Sequence, residues 1–350
     1  MTLTDAGLSA VLSGSTVVVT GGGGLVGSRI TARLRAAGAR VLAVGKLDAY
    51  PATVYADLFG VHPNDRDTLV GDIADAALMD HVIREADYVI HAAAVADVAA
   101  CTRNPLAAIR TNVTGTQVLL DAVRRCNARV RRFVFVSSAA VYGNGDPRRH
   151  GVQTWHEDQS PAPLSVYANT KVWGEAQTAL VLGEANVPHT SVRYFSVYGE
   201  PQTVKEGSHS WAVAWMAMRA KLGLPLYLNG GGRQVRDFVH VEDIAEATTR
   251  ALLAPEADRQ TLNVGTGRAT SIADVAQLVR RHYPDAEFQD RPLPEGDPLG
   301  GTADTARMTA ALDWEPRITV EEGVARYVAW LDSTPAALPD FLRREAAHTA

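Results

Sequence analysis

The stretch TVVVTGGGGLVGSRI, residues 16–30, decides which fold this chain is expected to adopt. A β-branched run ends in four consecutive glycines, and a segment with Ile30 and Leu34 four residues apart follows it. The first part is typical of a buried strand, and the second has the apolar spacing of a helix that Gly38 would end. The sequence therefore predicts a strand, a tight glycine turn and a helix.

The glycine turn has the spacing of a dinucleotide-binding motif. G-x-G-x-x-G is met by Gly22, Gly24 and Gly27, and T-G-x-x-G-x-x-G by Thr20, Gly21, Gly24 and Gly27. Glycine is needed there because the backbone must turn sharply and approach a pyrophosphate, which then meets the helix N-terminus. The predicted strand and helix on either side are the context that this motif requires.

Strands and helices alternate through the first half of the chain. Further strands are predicted in ARVLAVG (39–45), DTLVGDI (67–73), ADYVIHAAA (86–94) and RRFVFVSS (131–138), and a long helix over residues 104–127. This alternation predicts an α/β fold with a doubly wound parallel sheet covered by helices on both faces. A second pattern begins near residue 196, with capping-box spacing at Ser271–Asp274 and Thr319–Glu322. The last fifteen residues or so are expected to form a loose helical tail.

Composition excludes several classes of protein. The 350 residues carry 34 Lys and Arg against 39 Asp and Glu, a formal net charge of −5, so nucleic acid is not an expected partner. No run approaches the length of a membrane span, and the first residues resemble neither a secretory signal nor a transit peptide. Two cysteines, Cys101 and Cys126, fit a reducing compartment, and a cytoplasmic enzyme is expected.

The end of the second strand leaves the choice of dinucleotide open. An acid that holds the adenosine ribose is expected there, but the sequence has Gly45, then Lys46, and Asp48 only later. A missing carboxylate beside a cation would accept the 2′-phosphate of NADP, whereas Lys46 could equally be a solvated loop residue. Asp72, after the third strand, is better placed to meet the adenine ring.

The segments SSAAVYG (137–143) and YANTK (167–171) indicate an active site. Tyr167 and Lys171 are four residues apart, so they share one face of a helix. A free tyrosine titrates near 10, and a neighbouring ammonium together with an oxidised nicotinamide would lower that pKa enough for proton transfer. Ser138 ends a strand where open α/β sheets bind ligands, and it could bond the same reacting hydroxyl.

Eight motifs in order resemble the extended short-chain dehydrogenase/reductases, within these the nucleotide-sugar epimerase/dehydratase group typified by UDP-galactose 4-epimerase. They span about residues 15 to 331: TGGGGLVG, HAAA, NVTGT, SSAAVYG, YANTK, RYFSVYG, RDFVHVEDIA and NVGTG. The resemblance implies a Rossmann domain (14–195 with about 234–262), a smaller α/β nucleotide-sugar domain (196–233 and 263–335) and a tail (336–350). It also implies a homodimer through a four-helix bundle made from the helix near 104–126 and the helix that carries Tyr167.

The same resemblance implies which residues form the sites. Ser138, Tyr167 and Lys171 would be catalytic. The residues expected to contact the dinucleotide are Gly21, Gly24, Leu25, Val26, Gly27, Lys46, Asp72, Ile73, Ala92, Ala93, Asn112, Tyr167 and Lys171. Those expected to contact a UDP-, TDP- or GDP-linked sugar are Ser138, Ala139, Ser196, Tyr227, Arg236 and Arg291.

Two alanines after Ser138 restrict which reaction of this family the chain is expected to catalyse. In 4,6-dehydratases resembling this chain the catalytic Ser/Thr is followed by Asp-Glu, and decarboxylating relatives carry Glu at the second position; here Ala139 and Ala140 stand there. The favoured function is therefore C4 epimerisation of an NDP-hexose with NAD, through a transient 4-keto sugar. An NADPH-dependent 4-ketoreductase is the alternative, and a non-catalytic dinucleotide sensor a remote one.

The substrate side departs from the family pattern. Arg236 matches the arginine that reaches the diphosphate, with a surface ion pair to Asp237 or Glu242 as the alternative. Ser196 replaces the usual Asn, and Pro294 stands where a second phosphate arginine is normal, with Arg291 as a possible substitute. The helix carrying Trp211 and Trp215 is expected to pack on the cofactor domain or, less simply, to contact the base. His91 and His240 are interpreted as packing residues, and no metal site is expected.

Overall fold

The computed structural model describes residues 5–144, 151–208, 211–293 and 300–349. Its strands, numbered in chain order, are β1 Thr16–Thr20, β2 Arg40–Gly45, β3 Thr68–Val70, β4 Tyr88–His91, β5 Arg132–Ser138, β6 Gln153–Trp155, β7 His189–Tyr194, β8 Ser196–Tyr198, β9 Leu226–Asn229, β10 Val235–Arg236, β11 Phe238–His240, β12 Gln260–Val264, β13 Thr270–Ser271, β14 Phe288–Arg291 and β15 Gly301–Ala303.

The helices are α1 Asp5–Leu12, α2 Leu25–Ala36, α3 Ala76–Ile83, α4 Val98–Arg103, α5 Pro105–Ile109, α6 Thr116–Arg125, α7 Val166–Glu184, α8 Ala212–Lys221, α9 Val241–Leu253, α10 Ile272–His282, α11 Ala306–Leu312, α12 Val320–Ser333 and α13 Asp340–Thr349. Short 3₁₀ turns lie at Ala139–Tyr142, Gly230–Gly232, Pro255–Ala257 and Pro335–Ala337, and π-helical turns at Val54–Leu58 and Arg110–Gly115. No helix in these described ranges is long and apolar enough to cross a membrane.

Seven parallel strands form the main sheet, in the order β12-β7-β5-β4-β1-β2-β3. All five strands predicted from the first half of the sequence lie in it. The order reverses between β1 and β4, so their carboxyl ends open a crevice of the kind that binds dinucleotides. The prediction of a Rossmann-type, doubly wound sheet is confirmed.

Alternating side chains cover the two faces of this sheet. On β1, Val17 and Val19 enter one apolar core with residues of α2 and α9, whereas Val18 enters a second core with residues of α3 and α6. On β5, Val134 and Phe135 divide between the two cores in the same way. Because both faces are buried, the strands read as nearly continuous apolar runs in the sequence.

A third apolar core gathers side chains from α8, β9, α10, α12 and α13, between Tyr198 and Leu342. Around it lie two-stranded pairings of β8 with β11, β9 with β14 and β10 with β13. The expectation that α8 packs on the cofactor domain is wrong: Trp215 stacks on Phe341, with ring centroids 6.2 Å apart, inside this third core. The expected loose tail is also wrong, because Leu342 of α13 is fully buried.

Two local predictions need refinement. The helix predicted over residues 104–127 is interrupted by the π-helical turn Arg110–Gly115, which joins α5 to α6. The predicted capping box at Ser271–Asp274 is complete, whereas at Thr319 only the side-chain bond from Glu322 N–H is present. The α2 helix ends at Ala36 and Gly38 follows with φ +86, as the glycine stop predicted.

Candidate active site

The glycine turn after β1 is shaped by close backbone approach. Gly21 has φ +74, and a Cβ there would lie 2.6 Å from the amide nitrogen of Ala93. A Cβ on Gly27 would lie 2.1 Å from the carbonyl oxygen of Gly21. At the start of α2, Gly24 offers no side chain to cap the first N–H groups, and the first turn holds no acid. Uncapped N–H groups and a bare backbone suit the pyrophosphate of NAD.

Lys46, which was expected to lie near the adenosine, forms an ion pair with Asp72. Its Nζ lies 3.0 Å from Asp72 Oδ2, and Arg110 approaches the same carboxylate at 3.6 Å. Although partial burial opposes the shift, bonds from the Ala74 N–H and from Lys46 lower the pKa of Asp72. Gly45 ends β2 and pairs with Val70 of β3, so the last residue of β2 supplies no carboxylate.

Asn112 supports the wall of the crevice. Its amide oxygen accepts from Val95 N–H at 2.8 Å, and its Nδ2 donates to Val95 O and to Thr170 Oγ1. It therefore ties the loop after β4, which contains Ala92 and Ala93, to α7. Ile73 is buried nearby, and a Cβ on Gly115 would strike its side chain at 2.6 Å.

The structure brings Ser138, Tyr167 and Lys171 together at the carboxyl end of β5. The phenol of Tyr167 lies beside the side chain of Ser138. Lys171 is 4% exposed, and its Nζ donates to Val136 O at 2.7 Å and lies 5.9 Å from the centroid of the Tyr167 ring. A donor-acceptor hydroxyl pair beside a buried amine can bind a substrate hydroxyl and exchange its proton.

Burial dominates the titration of both ionisable groups. Burial raises the pKa of Tyr167 to about 12, and the bond with Ser138 opposes that shift. Burial lowers the pKa of Lys171 to about 8, against the field of Glu175. The phenol is therefore a proton donor in the chain alone, and it becomes a base only when further positive charge lies beside it. The oxidised nicotinamide of NAD carries such a charge.

Gly174 brings α7 close to the sheet. A Cβ at this position would lie 2.3 Å from Cζ of Phe135 on β5. Ser165 caps the start of the helix by accepting from Ala168 N–H. Gly174 was not predicted as a functional residue; its spacing of three residues from Lys171, on one helix face, was the available signal.

Glu175 and Arg193 were also missed. They form a bidentate ion pair behind Ser138, with Nη2 to Oε2 at 2.7 Å and Nε to Oε1 at 2.9 Å. Glu175 continues the i,i+4 spacing of Tyr167 and Lys171, and that spacing was a usable signal. Arg193 comes from β7, and only the pairing of β7 with β5 places it there.

The two acids considered as alternative partners of Arg236 each have partners elsewhere. Asp237 accepts from the N–H groups of Thr266, Gly267 and Ala303, and Glu242 pairs with Arg29 at 2.5 Å. The Arg236 side chain reaches back to Val235 O at 2.8 Å.

Tyr227 and Arg291 are in contact with each other. The guanidinium carbon of Arg291 lies 3.4 Å from the centroid of the Tyr227 ring, and that of Arg219 lies 4.4 Å from it. Ser196 lies on β8, where its N–H donates to Asp237 O. Pro294 lies outside the described residues.

His91 and His240 are both buried and hydrogen-bonded within the fold. His91 bonds Thr20 Oγ1 at 2.7 Å and Thr116 Oγ1 at 2.8 Å, and burial lowers its pKa to about 3. His240 accepts from Glu242 N–H at the start of α9. Across the described ranges, no group of three His, Cys, Asp or Glu side chains could hold a metal ion. Cys101 and Cys126 are free thiols.

A model of the NAD dependent epimerase/dehydratase family matches residues 17–265. The chain belongs to this family. The dTDP-L-rhamnose 4-epimerase of Burkholderia thailandensis is 28% identical over 355 residues, covering 92% of this chain and 96% of that protein. UDP-glucuronic acid decarboxylase 4 of Arabidopsis thaliana is 30% identical over 311 residues, covering 88% of this chain and 66% of that protein.

Among solved structures, the UDP-glucose 4-epimerase of Thermus thermophilus in complex with NAD superposes with a TM-score of 0.77 at 29% identity, covering 90% of this chain and 98% of that chain. The resemblance drawn from the eight motifs is confirmed as membership of this epimerase/dehydratase family. The family is NAD-dependent, and the uncapped glycine turn of this chain fits that dinucleotide.

Proposed function

We propose that this chain is an NAD-dependent nucleotide-sugar epimerase that inverts C4 of an NDP-hexose. The observation that carries the proposal is the approach of the Tyr167 phenol to Ser138, with the buried Lys171 amine beside the phenol ring. Ala139 and Ala140 stand where dehydration or decarboxylation would need carboxylates. The 4-epimerases of Burkholderia thailandensis and Thermus thermophilus are similar along nearly the whole chain.

In the mechanism we propose, the glycine turn around Gly21, Gly24 and Gly27 would hold NAD, which would supply the hydride acceptor and donor for C4. Tyr167 removes the proton from O4 while the C4 hydrogen leaves, and Ser138 holds O4 by a hydrogen bond. Lys171 places positive charge near the phenolate. The 4-keto sugar then presents its other face, and Tyr167 returns the proton to O4. No net oxidation occurs.

Arg236 is the residue that we expect to hold the diphosphate. A guanidinium suits bidentate contact with phosphate. Gly300 has φ +92, and a Cβ there would lie 2.9 Å from Arg236 Nη1, so glycine leaves room for this side chain. Tyr227 and Arg291 form a stacked pair that we propose contacts the nucleotide.

The proposed homodimer rests on apolar side chains at the surface. Leu106 and Ile109 of α5 are 77% and 43% exposed, and Leu180 of α7 is 70% exposed. We propose that α7 and the helices of residues 105–125 pair with a second copy as a four-helix bundle. Leu180→Glu should then convert a dimer to a monomer in analytical ultracentrifugation.

A 4-ketoreductase is the second candidate. Lys46 and Arg110 place two cations at one carboxylate at the adenosine end, which favours NADP more than an isolated acid would. Its turnover would consume NADPH.

One experiment separates the two candidates. The purified protein is given UDP-, TDP- and GDP-sugars without added cofactor, and product stereochemistry is followed by proton NMR. An epimer formed over many turnovers, with bound dinucleotide unchanged, supports the epimerase. No conversion until NADPH and a keto sugar are added, followed by a matching loss of NADPH absorbance, would replace it with the reductase.

A further inference from the structure

A buried charged pair lies directly behind the reacting end of the crevice. The side chains of Glu175 and Arg193 are 11% and 5% exposed, and they are joined by two hydrogen bonds. Ser137 Oγ donates to Glu175 Oε1 at 2.5 Å. Since Ser137 precedes Ser138 in β5, the carboxylate fixes the strand end that presents the reactive hydroxyl.

The pair belongs to a larger polar network. Arg193 Nη1 donates to Tyr142 OH at 2.7 Å and to Glu157 O at 3.1 Å, and its guanidinium lies 4.9 Å from the Tyr142 ring centroid. Tyr142 OH in turn donates to Asn263 Oδ1 at 2.7 Å. The network thus joins β5, β7 and β12 beneath the crevice, and it holds Glu175 in one geometry.

Titratable and charged side chains from several elements face Lys171. They are Tyr167 and Glu175 on α7, Cys101 on α4 and His91 on β4, with Arg193 of β7 beyond Glu175. From β5 come the Val136 carbonyl and the Phe135 ring, whose centroid is 5.1 Å from Nζ.

Most of these groups are uncharged at neutral pH. Burial lowers the pKa of His91 to about 3 and raises that of Cys101 to about 11, so both are neutral there. Glu175 is the carboxylate whose field reaches Lys171, and Arg193 neutralises it.

We propose that Glu175 and Arg193 are positioning residues that cancel each other's charge behind Lys171, so that Tyr167 and Lys171 exchange the substrate proton in a balanced field. This proposal rests on the proposed epimerase function for its kinetic readout. Tyr167 and Lys171 interact closely, so their titration belongs to the pair.

Removing the charge of Glu175 and removing that of Arg193 should shift the titration of the Tyr167–Lys171 pair in opposite directions. Without the carboxylate, Arg193 adds uncompensated positive charge, and both deprotonation steps of the Tyr167–Lys171 pair move to lower pH. Without the guanidinium, Glu175 adds negative charge, and both steps move to higher pH. A network that only supports the fold would lower activity in both variants without opposite shifts.

The test uses the NAD-bound protein and the variants Glu175→Gln, Arg193→Gln and the double variant. The pH dependence of kcat is measured, and phenolate absorbance is titrated as a difference against Tyr167→Phe in each background. We expect shifts of about one pH unit down for Glu175→Gln and about one unit up for Arg193→Gln. The double variant should return close to the parent value. Ser137→Ala, which keeps both charges, should shift neither the pH dependence of kcat nor the phenolate titration.

Shifts in the same direction, or lowered kcat with no shift, would overturn the proposal. If a single variant does not fold, Glu175→Asp replaces Glu175→Gln, because withdrawing the carboxylate should still move the titration down by a smaller amount; no shift there would also overturn it. The phenolate titration needs no substrate. Failure of every sugar to react would therefore remove the proposed function and leave the charge proposal decided by absorbance.

Discussion

The two ends of the crevice differ in how far water reaches them. At the reacting end, Lys171 is 4% exposed and lies on a helix that Gly174 presses against β5. At the end where we propose that the adenosine binds, the side chains of Lys46 and Arg110 are 40% and 71% exposed. Charges act strongly where water is excluded and weakly where it is not. A substitution at the buried end should therefore cost far more than one at the exposed end.

Tyr167→Phe should have the largest effect. The phenol is the group that we propose moves the substrate proton, so kcat for epimerisation should fall about a thousand-fold. Bound dinucleotide, quantified in the same sample, should stay unchanged. Tyr198→Phe is the matched control, because its phenol bonds Thr319 O away from the crevice. Full turnover by Tyr167→Phe would remove the catalytic assignment.

Lys171→Met should change how stability depends on pH. The folded pKa of about 8 lies below the ordinary 10.5, so between these values the unfolded chain binds more protons and wild-type stability rises with pH. Below pH 8 the buried ammonium costs about 3 kcal/mol, which the variant avoids. Urea unfolding of both proteins, freed of dinucleotide, should show the advantage of the variant fading from pH 8 to 10.5. A constant difference across this range would contradict the buried ammonium.

Arg236→Ala tests the proposed diphosphate contact, which lies at a partly buried position. Loss of a charged hydrogen bond to the diphosphate should raise KM for the nucleotide sugar about 10- to 100-fold, with kcat nearly unchanged. Steady-state kinetics with Arg233→Ala, an exposed arginine three residues earlier, provide the control. Equal effects of the two variants would mean that Arg236 has no special contact.

Asp72→Asn should have the smallest effect. It releases Lys46 and Arg110, so the ratio of NADP to NAD affinity should rise about three- to ten-fold at low salt and less at high salt. Dinucleotide titration by tryptophan fluorescence measures both affinities. Adding Lys46→Ala to Asp72→Asn should reverse most of the gain, and an unchanged ratio would show that Lys46 lies away from the 2′ position.

The features that could be predicted from the sequence are those that depend on short local patterns. Strand periodicity and the glycine turn before α2 predicted the sheet. The i,i+4 spacing of Tyr167 and Lys171 predicted that these two side chains lie together at its carboxyl edge. These features depend on neighbours within a few residues, so one chain segment is enough to show them.

What the sequence did not predict depends on contacts between distant segments. The pairing of Lys46 with Asp72, the approach of Gly174 to Phe135 and the Glu175–Arg193 bonds each join different elements. The partner of α8 was predicted wrongly for the same reason: its apolar face shows that it packs, whereas the fold decides on what.

Hydrogen retention at C4 tests the central claim most directly. The protein is given an NDP-hexose deuterated at C4 in ordinary water without added cofactor, and the product is examined by NMR and mass spectrometry. We expect a C4 epimer that keeps the deuterium, because the same hydride leaves and returns. A product that has lost the label to water, or a loss of water or carbon dioxide from the sugar, would contradict it.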